Sequence, residues 1–389
     1  MPVAGNPPPS TEPASRATRL AFLDVLRAVG TLSIVAAHGI VPYMVNSPAH
    51  WYVHDTQRWI AMDALGLVAE ATLIPLLLFV AGLVTPGSLL RHGPRGFLLS
   101  RSKRLLLPFF PAILVVVPFA YWLRSWAEAP PHPGALEVWK GFFGWDLNHG
   151  HLWFLPYLLV LGAAAALASK LRPHALLAAL RSPPSTAPAA GALVLFALGI
   201  GLAKAGLLLV YGDQVWFDSP LLNVQPTRIP LNVGFFLLGM CAAFGRWHEG
   251  APAGPRRLVA LGVATLLLAA ALVANAAVER PPVTPGHQLL DGIFHGGVAT
   301  SSVLFFFELL RSRVPVAWSP GRTGRSLVGS SFTIYLVHYI PVMGVGFLMR
   351  RWPLHPGLKL AIVVPLAVGA SWLLALVLRR APRVRSVLG

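Results

Sequence analysis

Apolar stretches of about 20 residues recur along this chain, and they constrain its fold more than any other feature of the sequence. A helix of that length spans the hydrocarbon core of a bilayer. Charged residues make up 12% of the 389 residues, about half the share found in soluble domains. A chain this poor in charge cannot cover a water-facing surface with polar groups, so we expect lipid to surround most of it.

The fold class we predict is an all-α integral membrane protein, a bundle of about ten transmembrane helices. Boundaries read from a sequence carry an error of a few residues, and nine to eleven spans fit the pattern. The ten candidate spans cover residues 20–44, 64–90, 105–125, 151–169, 190–211, 229–246, 257–278, 288–311, 326–349 and 357–378.

The two ends of the chain are polar. Residues 1–18 are rich in Pro, Ser and Thr and predict a disordered cytoplasmic tail, while residues 381–389 predict a basic cytoplasmic tail. Residues 19–380 between them predict a single membrane domain. The first apolar run, from Leu20 to about Val45, is too long for the apolar part of a signal peptide, so we expect no cleaved leader.

The basic residues predict the orientation of the bundle. With the N-terminus in the cytoplasm, 21 lysines and arginines lie on the cytoplasmic side and 7 on the other. This bias predicts a multi-pass protein of the bacterial inner (plasma) membrane with both termini cytoplasmic. It also accounts for the net charge of +17, and because no basic patch carries interleaved aromatic residues, we expect no nucleic-acid partner.

Ionisable residues inside a span are costly, which makes each of them a candidate for function. The first span holds Asp24, Arg27 and His38. Asp24 and Arg27 are three residues apart, so they share one helical face and can pair. His38 lies eleven residues beyond Arg27, about 16 Å further along the helix. For an isolated helix, a structural ion pair and a hydrogen-bonded histidine are the simpler interpretation.

Two further histidines favour a functional interpretation. His151 opens the fourth span and His338 lies within the ninth, so both can converge with His38 in one cavity, whereas we expect His149 to be solvated. The spacing matches no metal-binding pattern, and the single cysteine, Cys241, offers no thiol cluster, so we expect no metal. General acid–base chemistry suits clustered imidazoles better, because imidazole titrates near physiological pH.

Arg101 and Arg104 lie three residues apart, where the chain between the second and third spans meets the cytoplasm. Positive-inside anchoring alone is enough to explain them. The functional alternative is a docking site for the phosphates of a cytosolic cofactor, which guanidinium groups bind through paired hydrogen bonds.

Four short motifs follow one another along the chain. They are Leu23-Asp24-Val25-Leu26-Arg27 followed by His38, Arg101 and Arg104 followed by Pro108, His151 to Leu155, and Tyr335-Leu336 followed by His338. From about residue 20 to 340 the chain thereby resembles the acyltransferase-3 family, bacterial membrane acyltransferases that modify surface glycans. It departs from the family pattern at Ala81, where a serine is common. The segment 49–55 is similar to a loop of the glucan succinyltransferase branch.

The resemblance implies transfer of an acyl group, acetyl or succinyl, from cytosolic acyl-CoA to a hydroxyl of a glycan or glycolipid on the outer face. Arg101 and Arg104 would hold the CoA phosphates. His38 would act as general base or as acyl-carrying nucleophile, with Arg27 stabilising the thioester oxyanion and Asp24 fixing Arg27. The acceptor side would be lined by His151, Trp153, Tyr335, His338 and Glu70, with Asp63 as a further candidate.

A proton-coupled transporter or flippase is the alternative function, since ten spans with buried charge also suit the movement of a solute. Against it, the sequence shows neither paired inverted halves nor an acidic relay deep in the spans. A purely structural membrane protein would leave Asp24, Arg27 and His38 unexplained.

Overall fold

The computed structural model describes residues 21–48, 51–128, 130–145, 148–172, 188–278, 283–314, 321–382 and 384. The predicted tail 1–18 and most of the predicted tail 381–389 lie outside the described residues.

Helices make up most of the described chain. They are α1 (Ala21–Ile40), α2 (Ile60–Ala127), α3 (Ala135–Trp145), α4 (Phe154–Leu171), α5 (Ala190–Tyr211), α6 (Ile229–Phe244), α7 (Pro255–Val278), α8 (Pro285–Arg313), α9 (Arg322–Val337), α10 (Tyr339–Met349) and α11 (Pro356–Leu378). Proline occupies the first turn of α6, α7, α8 and α11, where its missing N–H has no partner to lose. A small antiparallel hairpin pairs Phe217 with Val224 and Asp218 with Asn223.

The longest helix, α2, is two arms joined at a sharp break. Gly93 has φ 65° and ψ 168°, a backbone conformation outside the helical region. Arg101 donates a hydrogen bond to Thr85 Oγ1 at 3.1 Å, although a straight helix would separate these positions by about 24 Å. The arms 60–92 and 94–127 therefore fold back on each other around Gly93.

The number of spans agrees with the prediction. Within the described residues, eight helices are long and apolar enough to cross a membrane, and α9 with α10, bent by 65°, makes a ninth if the pair is counted as one span. Counting the two arms of α2 separately brings the total to ten. The prediction of an all-α membrane protein with about ten spans is confirmed.

Close contact between α2 and α6 depends on two glycines. A Cβ atom placed on Gly82 would lie 2.0 Å from the carbonyl oxygen of Phe236, and one placed on Gly239 would lie 2.0 Å from that of Phe79. The two backbones therefore pack directly against each other, as small residues allow in membrane helices.

The two ends of the bundle carry different chemistry. We call the end that carries the loop 44–59 the histidine face and the opposite end, which carries Gly93, the arginine face. The loop 44–59 is tied to the bundle by Asp55, whose carboxylate oxygens lie 2.6 and 2.8 Å from Lys359 Nζ on α11. Asp63 adds a second tie by accepting hydrogen bonds from the backbone N–H groups of Val45 and Asn46, at 2.8 and 2.7 Å.

Candidate active site

Three histidines from three separate parts of the chain meet at the histidine face. His38 lies in the last turn of α1, His151 in the short turn before α4, and His338 at the bend between α9 and α10. The ring centroids of His38 and His338 are 5.0 Å apart, and His151 lies 4.7 Å from His338 and 6.5 Å from His38. His338 is fully buried and His151 nearly so, whereas His38 is partly exposed.

Hydrogen bonds fix the tautomers of two of these rings. His338 Nδ1 lies 2.6 Å from the carbonyl oxygen of Tyr335, and because a carbonyl only accepts, His338 Nδ1 carries the proton. His338 Nε2 is then the acceptor for His38 Nδ1–H, at 2.8 Å. His38 Nε2 is left with a free lone pair, which is the atom a general base or nucleophile needs.

The third ring, that of His151, is fixed in the same way. Its Nε2–H donates to the carbonyl oxygen of Leu336 at 3.1 Å, and the hydroxyl of Tyr335 donates to the His151 carbonyl oxygen. His151 Nδ1 is a buried acceptor with no donor among the described residues. A ligand hydroxyl can supply that missing hydrogen bond.

Aromatic side chains pack against His38. The ring of Trp51 stacks on His38 with centroids 5.7 Å apart and planes at 19°, and Tyr339 meets His38 edge-on at 5.0 Å. Trp153 is partly exposed and lies 6.2 Å from Trp216 on the segment that leads into the small hairpin. The rings of Trp51 and Tyr339 thus pack against two sides of His38.

His149 does not lie where the sequence predicted. It is fully buried, and its Nε2–H donates to the carbonyl oxygen of Pro220 at 3.1 Å, so the expectation of a solvated side chain is wrong. This contact holds the small hairpin against the turn that carries His151. The burial of the His149 side chain also lowers its pKa. In the loop 44–59, burial and the charge of Arg58 likewise lower the pKa of His54.

Asp24 and Arg27 belong to the arginine face. They form an ion pair with each other, and Arg27 lies within electrostatic range of Arg101 and Arg104. Because His38 is eleven residues further along α1, about 16 Å separates it from Arg27. The structure thus places the predicted catalytic residues Asp24 and Arg27 with the two predicted cofactor-binding arginines rather than beside His38.

Glu70 also lies apart from the histidines. It pairs with Arg228 at 2.7 Å and lines a small cavity of about 20 Å³, room for about one water molecule. Lys204, 3% exposed, lies at the same cavity and pairs with Asp291 at 3.3 Å. Asp63 serves the loop 44–59 through the two backbone hydrogen bonds described above.

Sequence reasoning missed several residues of this site. The sequence singles out Trp51 only as part of the segment 49–55, and it does not predict the buried pair of Asp55 with Lys359. A lysine just inside an apolar span, such as Lys359 or Lys204, is the signal that would have found these pairs.

The described residues contain no group of three or more His, Cys, Asp or Glu arranged to hold a metal ion. Three of the ring nitrogens are engaged in other ways: His338 Nδ1 and His151 Nε2 donate to backbone carbonyls, and His338 Nε2 accepts from His38.

Comparison with known proteins identifies the family. Residues 20–376 match the family model described as an acyltransferase domain, over a range that includes all four sequence motifs. The chain belongs to the acyltransferase-3 family. Neither a curated protein nor a solved structure matches it. The protein is therefore a multi-pass membrane acyltransferase, and its membership of an enzyme family disfavours the transporter interpretation.

Proposed function

We propose that this acyltransferase moves an acetyl or succinyl group from cytosolic acyl-CoA to a hydroxyl of a glycan or glycolipid on the outer face of the bacterial inner membrane. The histidine face is then outer and the arginine face cytoplasmic, in line with the bias of basic residues. The observation that carries the proposal is the hydrogen-bonded chain from Tyr335 through His338 to His38, which leaves His38 Nε2 free to take a proton.

The donor binds from the arginine face in this proposal. Arg101 and Arg104, with Arg27 close by, supply positive charge for the CoA phosphates, and Asp24 fixes the Arg27 side chain through their ion pair. The pantetheine arm must then run along α1 toward His38. Arg27 accordingly acts on the donor rather than on the oxyanion.

The acceptor binds from the histidine face. His151 Nδ1, which lacks a donor in the described part of the chain, accepts a hydrogen bond from an acceptor hydroxyl. The partly exposed ring of Trp153 offers an apolar surface to a sugar ring. Tyr335 holds both His338 and His151 through its carbonyl and hydroxyl groups, so its role is to position these rings. Glu70 pairs with Arg228 at a separate small cavity, so we assign it no part in acceptor binding.

The reaction needs no further reactant. His38 Nε2 takes the proton of the acceptor hydroxyl, the oxygen attacks the thioester carbonyl, and collapse of the tetrahedral intermediate breaks the carbon–sulfur bond. His38 then returns the proton to the CoA sulfur, giving an ester and free CoA. Transfer through an acyl-imidazole would use the same Nε2 atom.

Free CoA release by the purified protein tests the proposal. Acetyl-CoA and succinyl-CoA are compared as donors, because the segment 49–55 is similar to a loop of the glucan succinyltransferase branch. Release that depends on an envelope glycan, and that is lost in His38→Ala, supports the proposal. A burst of one CoA per enzyme without acceptor indicates an acyl-imidazole, and its absence indicates a general base.

A further inference from the structure

The indole of Trp51 carries an unpaired hydrogen-bond donor next to the base. Trp51 is 6% exposed, and its Nε1–H is buried without a partner among the residues that the structure describes. A buried indole N–H ordinarily has a partner, because removing it from water without one costs free energy. The indole ring lies next to the imidazole of His38, with ring centroids 5.7 Å apart and planes at 19°.

The chemistry of the indole restricts what can fill this position. An indole N–H only donates, so whatever fills this position must present an acceptor atom, and a carbonyl oxygen of a bound substrate is one. Of the atoms that react beside His38, the thioester carbonyl oxygen is the one that gains negative charge when the hydroxyl oxygen attacks. A fixed donor in a water-poor site stabilises such an oxyanion strongly.

We propose that Trp51 Nε1–H donates a hydrogen bond to the carbonyl oxygen of the acyl group and stabilises the oxyanion of the tetrahedral intermediate. The inference rests on the proposed acyl transfer. As the new carbon–oxygen bond forms, the carbonyl electron pair moves onto this oxygen. It returns when the carbon–sulfur bond breaks and the sulfur takes the proton from His38.

The loop that carries Trp51 is held rigidly enough for this role. Asp55, four residues further on, is paired with Lys359, and the two side chains are 1% and 0% exposed. The backbone N–H of Trp51 donates to the carbonyl oxygen of Pro48 at 2.9 Å, and Asp63 fixes the start of the loop. Such a fixed donor needs little reorganisation during the reaction.

Trp51→Phe keeps an aromatic ring against His38 but removes the N–H. We expect its kcat to fall by about 10²–10³-fold, as for loss of one oxyanion donor, with KM for acyl-CoA changed by less than about twofold. Trp59→Phe is the matched control, because Trp59 lies at the end of the same loop, is 41% exposed and packs on His355, and it should keep the wild-type kcat. A wild-type kcat in Trp51→Phe overturns the inference.

A second variant covers the case in which Trp51→Phe does not fold. Benzothienylalanine at position 51 keeps the shape of the indole and replaces its N–H by sulfur, and it should show the same loss of kcat.

Binding of substrate analogues gives a second measurement. A ketone analogue of acyl-CoA should bind wild type more tightly than a thioether analogue without the carbonyl, and this preference should disappear in either variant.

The outcomes distinguish a failure of the role of Trp51 from a failure of the proposed acyl transfer. Acceptor-dependent CoA release by wild type together with full activity in both position-51 variants overturns the role of Trp51 and leaves the proposed function standing. Absence of acyl transfer in both wild type and Trp59→Phe overturns the proposed function and the role of Trp51 with it.

Discussion

Backbone carbonyls determine which nitrogen of each buried imidazole carries a proton at the candidate site. The carbonyl of Tyr335 fixes His338, and His338 in turn orients His38. A neutral His338 carries no charge that could attract the imidazolium which His38 becomes when it takes a proton. Its contribution is to orient the ring of His38 and to keep the proton of the neutral ring on Nδ1. His338 is therefore a positioning residue.

His338→Phe should lower kcat by about 10²-fold with little change in KM for acyl-CoA, because His38 loses the acceptor that orients it. His338→Gln should recover part of the loss, since its amide oxygen can accept from His38 Nδ1–H. Steady-state kinetics in detergent check both variants. Equal kcat values for the Phe and Gln variants would indicate a merely structural role.

Arg101→Ala and Arg104→Ala should each raise KM for acyl-CoA by about 10-fold and leave kcat nearly unchanged, because a charge-assisted hydrogen bond to phosphate is lost. Arg91→Ala, an exposed arginine of the same helix, is the control. A donor without its 3′-phosphate refines the test. If removal of the 3′-phosphate raises KM by the same factor in wild type and in both variants, neither arginine binds that phosphate.

At the scale of elements, the ends of the helices follow from the sequence. The predicted span 190–211 coincides with α5, and the predicted span 357–378 differs from α11 by one residue. Long apolar runs bounded by Pro and charged residues determine these ends locally. The bend at His338 does have a local signal, because Pro341 has no N–H to bond the carbonyl of Val337, where α9 ends; the predicted straight span 326–349 did not take this proline into account.

The histidines of the candidate site could be predicted from the sequence, whereas the loop residues beside them could not. The motif residues His38, His151 and His338 were found because imidazoles inside apolar spans are rare and costly. The positions of Trp51 and Asp55 depend on how the loop 44–59 folds over the bundle, which no local pattern encodes. The distance of about 16 Å along α1 already indicated that Arg27 lies away from His38, but only the fold shows Arg27 close to Arg101 and Arg104.

Breaking the buried pair of Asp55 and Lys359 should destabilise the protein. Asp55→Asn leaves the lysine buried and unpaired and should cost about 3–5 kcal/mol, whereas Asp55→Asn with Lys359→Met should cost less than the sum of the two single changes. Thermal unfolding in detergent of the four proteins measures this coupling. Additive effects would show that the pair is not coupled.

The contact between α2 and α6 should not tolerate a side chain at its glycines. Gly82→Ala should destabilise the protein by about 1–3 kcal/mol or more, because the new Cβ meets the carbonyl of Phe236. Gly87→Ala on the same helix meets nothing within 4 Å and should be neutral or slightly stabilising. Comparable unfolding temperatures for the two variants would contradict the close packing of the helices.

At the scale of the whole molecule, we predict that the net charge of +17 follows from the orientation of the bundle, with most basic residues on the cytoplasmic side. Labelling of single cysteines checks the predicted orientation. In a Cys241→Ala background, Leu221→Cys on the histidine face should react with a membrane-impermeant maleimide in intact cells, and Ala251→Cys on the arginine face should react only after permeabilisation. Both side chains are exposed. The reverse pattern would place the histidines on the cytoplasmic side.

The most direct test of the account is release of free CoA by purified wild type and by His38→Ala, with acetyl-CoA and succinyl-CoA as donors and an envelope glycan fraction as acceptor. The account predicts glycan-dependent release by wild type from one of the two donors, and its loss in the folded variant. Full release by His38→Ala, or no release by wild type from either donor, would contradict it.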